Sequence, residues 1–199
     1  MNRVVHFKIT LLGSKPSIWR QFHIPEDYRF DRFHQVLQIV MGWENAHLHD
    51  FKFSNRKIGM LFDDMWDFEE MEDETKVYLR DVYLEIGSRF QYCYDFGDNW
   101  EHELEVEGIT EYDESIIPQC TSGAGACPLE DCGGIWGYSD ILESLNTPNH
   151  PSYEEWSEWL PENFDPKRFS IVEINQELAK FAKWHQRHPR AKSTPWHRL

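Results

Sequence analysis

The most regular alternation of hydrophobic and polar residues lies between Phe90 and Glu107. Aromatic residues fill every second position from Phe90 to Phe96, and from Trp100 onward apolar or imidazole side chains alternate with glutamates. A period of two is typical of a strand with one buried face. Because Gly97-Asp98-Asn99 supplies turn residues between the two runs, the pattern predicts a β-hairpin with an aromatic and an acidic face.

The same alternation predicts two strands near the start of the chain, over residues 5–11 and 18–24. Arg20 falls on the apolar side of the second strand, where a guanidinium needs a partner or an edge position. Apolar residues with helical spacing follow over residues 33–40. Asp31 is the predicted N-cap of that helix, and Gly42 is its predicted C-terminal stop.

The final third of the chain has the spacing of helices rather than of strands. One apolar stripe covers residues 138–145, Ser152 begins a capping-box pattern, and Ser170 with Glu173 begins a second one. Together these patterns predict an α+β fold, with a mostly antiparallel sheet, helices packed on one face and a helical C-terminal third. We expect a single domain over residues 1–186 and a basic, flexible tail over residues 187–199.

Composition and charge narrow the classes of partner. The 199 residues are 40% hydrophobic, enough for a sizeable core, and the formal net charge is −15. Such an acidic surface repels phosphate backbones and argues against general nucleic-acid or membrane-surface binding. No apolar run approaches the roughly 18 residues of a membrane span, and the N-terminus lacks an apolar signal core. The sequence predicts a cytoplasmic protein whose four cysteines are reduced.

Two groups of residues could hold a metal ion. His47 and His49 would share one face if their segment is a strand, and His102 is a third imidazole candidate. A glycine-rich loop is predicted after Pro118, and it contains Cys120, Cys127 and Cys132. The three thiolates could bind zinc, with His102 or His150 as the fourth ligand. The alternatives are that His102 is a core histidine and that the thiols pack as small apolar groups.

The glycine-rich loop is a poor nucleotide site. It lacks the Gly-Lys-Ser/Thr ending of a phosphate-binding loop, and Glu130 and Asp131 would repel an anion. We therefore expect no nucleotide cofactor, and zinc is the cofactor that the cysteine spacing allows.

Several longer motifs resemble those of the plasmid pRiA4b ORF-3-like family, whose members are also met as passenger proteins of mobile elements. The resemblance spans about residues 4–178 and implies a single α+β domain, but it implies little about activity. The matching stretches are Lys15-Pro16-Ser17-Ile18-Trp19-Arg20, Met41-Gly42-Trp43, His47-Leu48-His49-Asp50-Phe51, Tyr94-Asp95-Phe96-Gly97-Asp98-Asn99-Trp100-Glu101-His102 and Cys127-Pro128-Leu129-Glu130-Asp131-Cys132-Gly133-Gly134.

Two main functional hypotheses follow from these residues. The first is a non-enzymatic binding or accessory protein that receives a peptide or small molecule in an aromatic and acidic pocket. In this hypothesis the cysteine loop could hold a structural metal ion. The second is a metal-dependent hydrolase in which the histidines hold the ion and Asp95 or Asp98 acts as general base. A third possibility is that the cysteine loop only fastens the helices onto the sheet. The pocket candidates are Trp19, Arg20, Trp43, Tyr94, Asp95, Asp98, Trp100 and His102.

Overall fold

The protein is described here by a computed structural model that covers residues 2–61, 71–112 and 116–188. Eight strands form one sheet in the order β5-β4-β3-β6-β7-β1-β2-β8, and every neighbouring pair except β4–β5 is antiparallel. The strands are β1 Asn2–Leu11, β2 Trp19–Pro25, β3 His49–Lys52, β4 Lys57–Gly59, β5 Met71–Asp73, β6 Arg89–Tyr94, β7 Trp100–Tyr112 and β8 Gln119–Ala124.

Four helices accompany the sheet in the described ranges: α1 Phe30–Met41, α2 Gly134–Asn146, α3 Tyr153–Trp159 and α4 Ile171–Arg187. The α+β prediction is therefore confirmed. The helical C-terminal third is confirmed only in part, because residues 147–152 and 160–170 join the helices without being helical themselves. Most of the predicted flexible tail, residues 189–199, lies outside the described residues. None of these four helices has the length and apolar character that a bilayer crossing requires.

The alternation in β1 separates a buried face of the sheet from a polar one. Phe7 and Ile9 are fully buried, whereas the intervening Lys8 is partly exposed. Helix α1 lies on the buried face, where the ring of Phe33 packs 5.3 Å from that of Phe7 and 5.5 Å from that of Phe51. Burial of these aromatic side chains between helix and sheet is the main source of cohesion in the core.

Helix α1 starts two residues earlier than predicted. Arg29 occupies the N-cap position, and Asp31 lies in the first turn, where both its oxygens accept hydrogen bonds from the Arg29 guanidinium. Gly42 ends the helix as predicted, with a φ of 106° that favours glycine.

The predicted hairpin is present as β6–β7. Tyr94 pairs with Trp100, and Tyr92 pairs with His102. The side chains of Trp100 and His102, both in β7, face the core. The positive φ values of the turn belong to Asp95 and Asn99, at 55° and 53°. Asp and Asn tolerate this region because their short side chains bond to the local backbone.

The segment after Pro118, predicted as a loop, begins with strand β8. Its residues pair with β2 from Trp19↔Ala124 to His23↔Gln119. The sequence Gln-Cys-Thr-Ser-Gly-Ala has no apolar alternation, because only one of its positions is buried. Pairing with β2 therefore makes this segment a strand, although its own pattern does not predict one.

Candidate functional site

Two polar sites lie at the end of the sheet where the α1–β3 loop meets strands β3 and β6. The first, called here the His47 site, consists of His47, Asp95, Glu130 and Asp131. His47 Nε2 lies 3.2 Å from Glu130 Oε2, 3.4 Å from Asp131 Oδ1 and 3.7 Å from Asp95 Oδ2. The turn after β6 supplies one carboxylate and the segment before α2 supplies two, and all three surround the imidazole nitrogen of the loop before β3.

The core holds Glu130 in position. The Tyr94 hydroxyl accepts a hydrogen bond from the Ala46 N–H at 2.9 Å and donates to the Glu130 carboxylate at 3.0 Å. The Glu44 N–H donates to the same carboxylate at 2.7 Å. Burial raises the pKa of Glu130 above its ordinary value. The hairpin turn and the loop before α2 are thereby fixed relative to each other.

His47 Nε2 is shielded from solvent and makes no hydrogen bond, despite three carboxylates within 3.7 Å. All three contacts are within ion-pair distance, but none meets the combined distance and angle of a hydrogen bond. Donor atoms of His47, Asp95 and Asp131 all lie within 4.8 Å of one another, and in the described ranges no other group of three such residues does so. An imidazole with carboxylates is a ligand set that suits a divalent transition-metal ion.

The second site is a cavity of about 380 Å³, called here the His49 cavity. At its wall His49 Nε2 lies 2.6 Å from Glu74 Oε2, and the His49 ring stacks on that of His34 with 3.3 Å between centroids. Its described lining residues are Asp31, His34, Gln35, Asn45, His49, Met60, Leu61, Asp73, Glu74 and Thr75.

The hydrogen bonds of His34 fix its tautomer. Asn45 Oδ1 can only accept, so His34 Nε2 carries the proton and donates to it at 2.6 Å. Nδ1 of the neutral ring then accepts from the Tyr92 hydroxyl at 2.8 Å, and that hydroxyl accepts in turn from Gln38 Nε2 at 2.8 Å. His34 is a neutral, fully bonded imidazole.

Burial controls protonation in the His49 cavity. It lowers the pKa of His49 to about 3 and that of His34 well below its ordinary value. It also raises the pKa of the Glu74 carboxyl to about 7. Desolvation disfavours every charged form here, so both imidazoles are neutral and Glu74 titrates near neutral pH.

The structure separates the three histidines that the sequence proposed as joint metal ligands. His47 lies among the carboxylates and His49 contacts Glu74. His102 is fully buried, accepts a hydrogen bond from Trp43 Nε1 at 3.3 Å and donates from Nδ1 to the Tyr92 carbonyl at 3.3 Å. Burial lowers the pKa of His102 to about 4. This geometry is that of the core-histidine alternative.

The proposed pocket aromatics lie in two places. The Trp43 ring packs 5.4 Å from that of Tyr94 and 5.0 Å from that of Trp100, and each of the three residues is at most 5% exposed. Tyr94 joins this cluster to the His47 site, because its ring lies 5.9 Å from that of His47. Trp19 lies on the polar face of the sheet, where the Lys8 ammonium is 5.2 Å from its ring. Asp98 accepts a hydrogen bond from the Gly133 N–H at 3.2 Å.

Arg20 is 2% exposed and has no N–H group left for a ligand. Its five donors reach main-chain carbonyls at 2.8–3.3 Å. The partners are the carbonyls of Trp19, Val40, Met41, Ala124 and Gly125.

The three cysteines of the proposed zinc site are free thiols, and the Sγ atoms do not form a ligand group by the 4.8 Å distance given above. Burial raises the pKa of all three, to about 12 for Cys132. Zinc at this loop stays a prediction from the cysteine spacing.

Comparison with known proteins places the chain in a family. Residues 3–173 match the family described as Plasmid pRiA4b ORF-3-like protein. The chain belongs to this family. An uncharacterised relative from Sinorhizobium fredii is 34% identical over 184 residues, which are 91% of this chain and 94% of the relative. A crystal structure from Methanosarcina mazei Go1, of a protein of unknown function, is similar with a TM-score of 0.77 at 37% identity, covering 86% of this chain and 97% of the other.

Sequence patterns missed part of both sites in this pRiA4b ORF-3-like protein. From sequence, Glu130 and Asp131 are only charges that repel an anion, and Glu74 belongs to an acidic stretch over residues 63–74 whose composition favours a solvated loop or a short helix. Residues 63–70 of that stretch lie outside the described residues. The available signal was residue type alone, since Glu74 is 25 residues from His49 and Glu130 is 83 residues from His47, and no local pattern marks such contacts.

Proposed function

We propose that this pRiA4b ORF-3-like protein binds a divalent transition-metal ion at the His47 site and acts as a metal-dependent binding or accessory protein. The observation that carries the proposal is His47 Nε2, which is buried, faces three carboxylates and makes no hydrogen bond. A buried polar atom without a partner is costly, and coordination to a cation would satisfy it.

Charge supports the same conclusion. Asp95, Glu130 and Asp131 repel one another at this separation, and a divalent ion would convert the repulsion into attraction. The chain carries a net charge of −15, so the surrounding field also draws cations towards the site. Nitrogen and oxygen ligands together favour Mn²⁺ or Zn²⁺ over Ca²⁺, which prefers oxygen ligands only.

The site is open on one side. The Asp131 side chain is 75% exposed, whereas those of Asp95 and Glu130 are 10% exposed. Three protein ligands with one solvent-facing side leave coordination positions for water or for an incoming group. A carboxylate or carbonyl of a peptide or small molecule could therefore complete the coordination, as a binding or accessory role requires.

Isothermal titration calorimetry with MnCl₂, ZnCl₂ and CaCl₂ tests the proposal. We expect saturable binding of Mn²⁺ or Zn²⁺ at one ion per chain, weakened at least about tenfold by Asp131→Asn or His47→Gln. Asn retains the positive φ of 57° at position 131, so the backbone is not disturbed. Asp27→Asn, at an exposed aspartate elsewhere, is the matched control.

Absence of binding in the wild-type protein would overturn the proposal. Zn²⁺ binding that persists in both variants would also overturn it, and would instead support the cysteine loop as the metal site. A substitution of Cys127 by Ser would then abolish the residual binding.

A metal-dependent hydrolase is the second candidate function. Glu130 favours it, because this carboxylate is not a member of the three-ligand group, has a raised pKa and lies 3.2 Å from His47 Nε2. It could act as general base on a metal-bound water molecule, the role that the sequence suggested for Asp95 or Asp98.

Hydrolysis of bis-p-nitrophenyl phosphate and p-nitrophenyl acetate by the metal-loaded protein tests this candidate. If Glu130 is the base, Glu130→Gln retains metal affinity and loses about 100-fold or more in rate. Equal rates in the wild-type protein and the variant, or no turnover above that of the free ion, would exclude the hydrolase and leave the binding role.

A further inference from the structure

We propose that the His49 cavity binds a small organic ammonium ion, with Glu74 as its counter-ion. This site is distinct from the His47 site and does not depend on a metal ion. The cavity has about 380 Å³, a volume suited to a small molecule. Three carboxyl groups line it, and no lysine or arginine is among its described lining residues.

Two of the three carboxyl groups are already neutralised. Asp31 pairs with the Arg29 guanidinium at 2.7 Å, and Asp73 pairs with the Lys76 ammonium at 3.1 Å. Within the described part of the chain, Glu74 has no such cation. Its Oε2 contacts His49, and its Oε1 makes no hydrogen bond to a described residue. Glu74 is therefore the carboxyl group with capacity for an incoming cation.

His49 supplies a second and independent observation. The residue lines the cavity at 3% exposure, and its Nδ1 is buried without a hydrogen-bond partner. When Glu74 is ionised it accepts the Nε2 proton of His49 in their 2.6 Å contact, which leaves Nδ1 as an acceptor. An unpartnered imidazole acceptor in a residue that lines an acidic cavity suits an N–H donor and disfavours an anion.

The remaining walls fit the rest of such a ligand. The Thr75 hydroxyl and the Asn45 amide add polar groups, and Met60 and Leu61 add apolar surface. An alkyl chain of about four carbons could lie on the apolar side while its ammonium group contacts Glu74. An anionic ligand would meet acidic residues and the chain's net charge of −15.

The ionisation of Glu74 gives the site a defined pH dependence. Burial raises its pKa to about 7, and the groups that face it are neutral His34 and His49 from α1 and β3 and the paired Asp31 and Asp73. Glu74 is mostly protonated at pH 6 and mostly ionised at pH 8. An ammonium ion attracts only the ionised form, so affinity rises about tenfold between these two pH values.

Nuclear magnetic resonance titration with three probes of equal length tests the proposal. Butylammonium, butanol and butanoate are added to the full-length protein while the imidazole resonances of His34 and His49 are followed. We expect saturable shifts with butylammonium, at least about tenfold weaker binding of butanol and no response to butanoate. The affinity for butylammonium should fall about tenfold from pH 8 to pH 6.

Glu74→Gln keeps the shape of the side chain and removes its charge, so it should abolish the response to butylammonium. Glu72→Gln, two residues away and 42% exposed at its side chain, is the matched control and should bind as the wild type does. The Mn²⁺ titration described above is repeated on both variants, since a folded chain with an intact His47 site retains metal binding whatever happens at Glu74.

Three results would each overturn the proposal: equal binding of butanol and butylammonium, no saturable response to any probe, or an unchanged response in Glu74→Gln. The comparison of the three probes uses only the wild-type protein, so it decides the matter even if the variant does not fold. If only the metal titration of the wild-type protein failed, the proposed function would be overturned and the proposed ammonium site would be unaffected.

Discussion

Arg20 shows how a single residue can serve the fold although its chemistry suggests a ligand site. Its guanidinium joins the carbonyls of Val40 and Met41, at the end of α1, to those of Ala124 and Gly125 after β8. Carbonyls at a helix C-terminus have no partner within the helix and attract a positive charge. Burial lowers the pKa of Arg20, but five hydrogen bonds compensate the charge.

Replacement of Arg20 by Lys tests this structural role. Lysine has three donors on a flexible stem and cannot reproduce the planar fork, so buried carbonyls lose partners. We expect the free energy of unfolding in urea to fall by about 2–4 kcal/mol. Arg89→Lys, at an exposed arginine whose side chain is 56% exposed, should change it by less than about 0.5 kcal/mol. Similar losses in both variants would contradict the assignment.

At the scale of the element, two serines with the same local pattern behave differently. Ser170 precedes α4, and its side chain accepts a hydrogen bond from the Glu173 N–H at 3.3 Å. Ser152 precedes α3 and makes no side-chain cap hydrogen bond. Its φ and ψ of −88° and 4° differ from the extended conformation that an N-cap adopts. Both capping boxes were predicted from sequence, and only the one at α4 has the cap hydrogen bond.

Substitution of each serine by alanine distinguishes a serine that caps its helix from one that does not. Ser170→Ala leaves one amide of the first turn of α4 without its acceptor, so the free energy of unfolding should fall by about 1 kcal/mol. Ser152→Ala should change it by less than about 0.5 kcal/mol, as is usual for surface substitutions that remove no such contact. Chemical denaturation followed by circular dichroism measures both. An equal effect of the two substitutions would show that the cap geometry is not the cause.

At the scale of the whole molecule, the order of strands decides which side chains can cooperate. Strand β3 lies between β4 and β6, so the loop that carries His47 meets the turn that follows β6. The segment before α2 then brings Glu130 and Asp131 against the same loop through Tyr94. On the other side of that loop, α1 supplies His34, and the segment after β5 supplies Glu74 to the His49 cavity.

Local sequence patterns predicted much of the fold of this pRiA4b ORF-3-like protein. The period of two marked β1, β2 and the β6–β7 hairpin, and Gly42 marked the end of α1, because such signals depend on residues close in the chain. Strand β8 was not predicted, because its side chains show no apolar alternation. It is a strand because its backbone pairs with β2.

The candidate sites depended on the tertiary structure far more than the fold did. The sequence named His47 and Asp95 together, but it grouped them with His49 and His102, whereas the structure places Glu130 and Asp131 beside them. Whether His47, His49 and His102 share one environment depends on contacts between segments up to 84 residues apart, as His47 and Asp131 are, and no local pattern encodes these contacts. The tertiary structure alone places His47 beside carboxylates, His49 against Glu74 and His102 in the core.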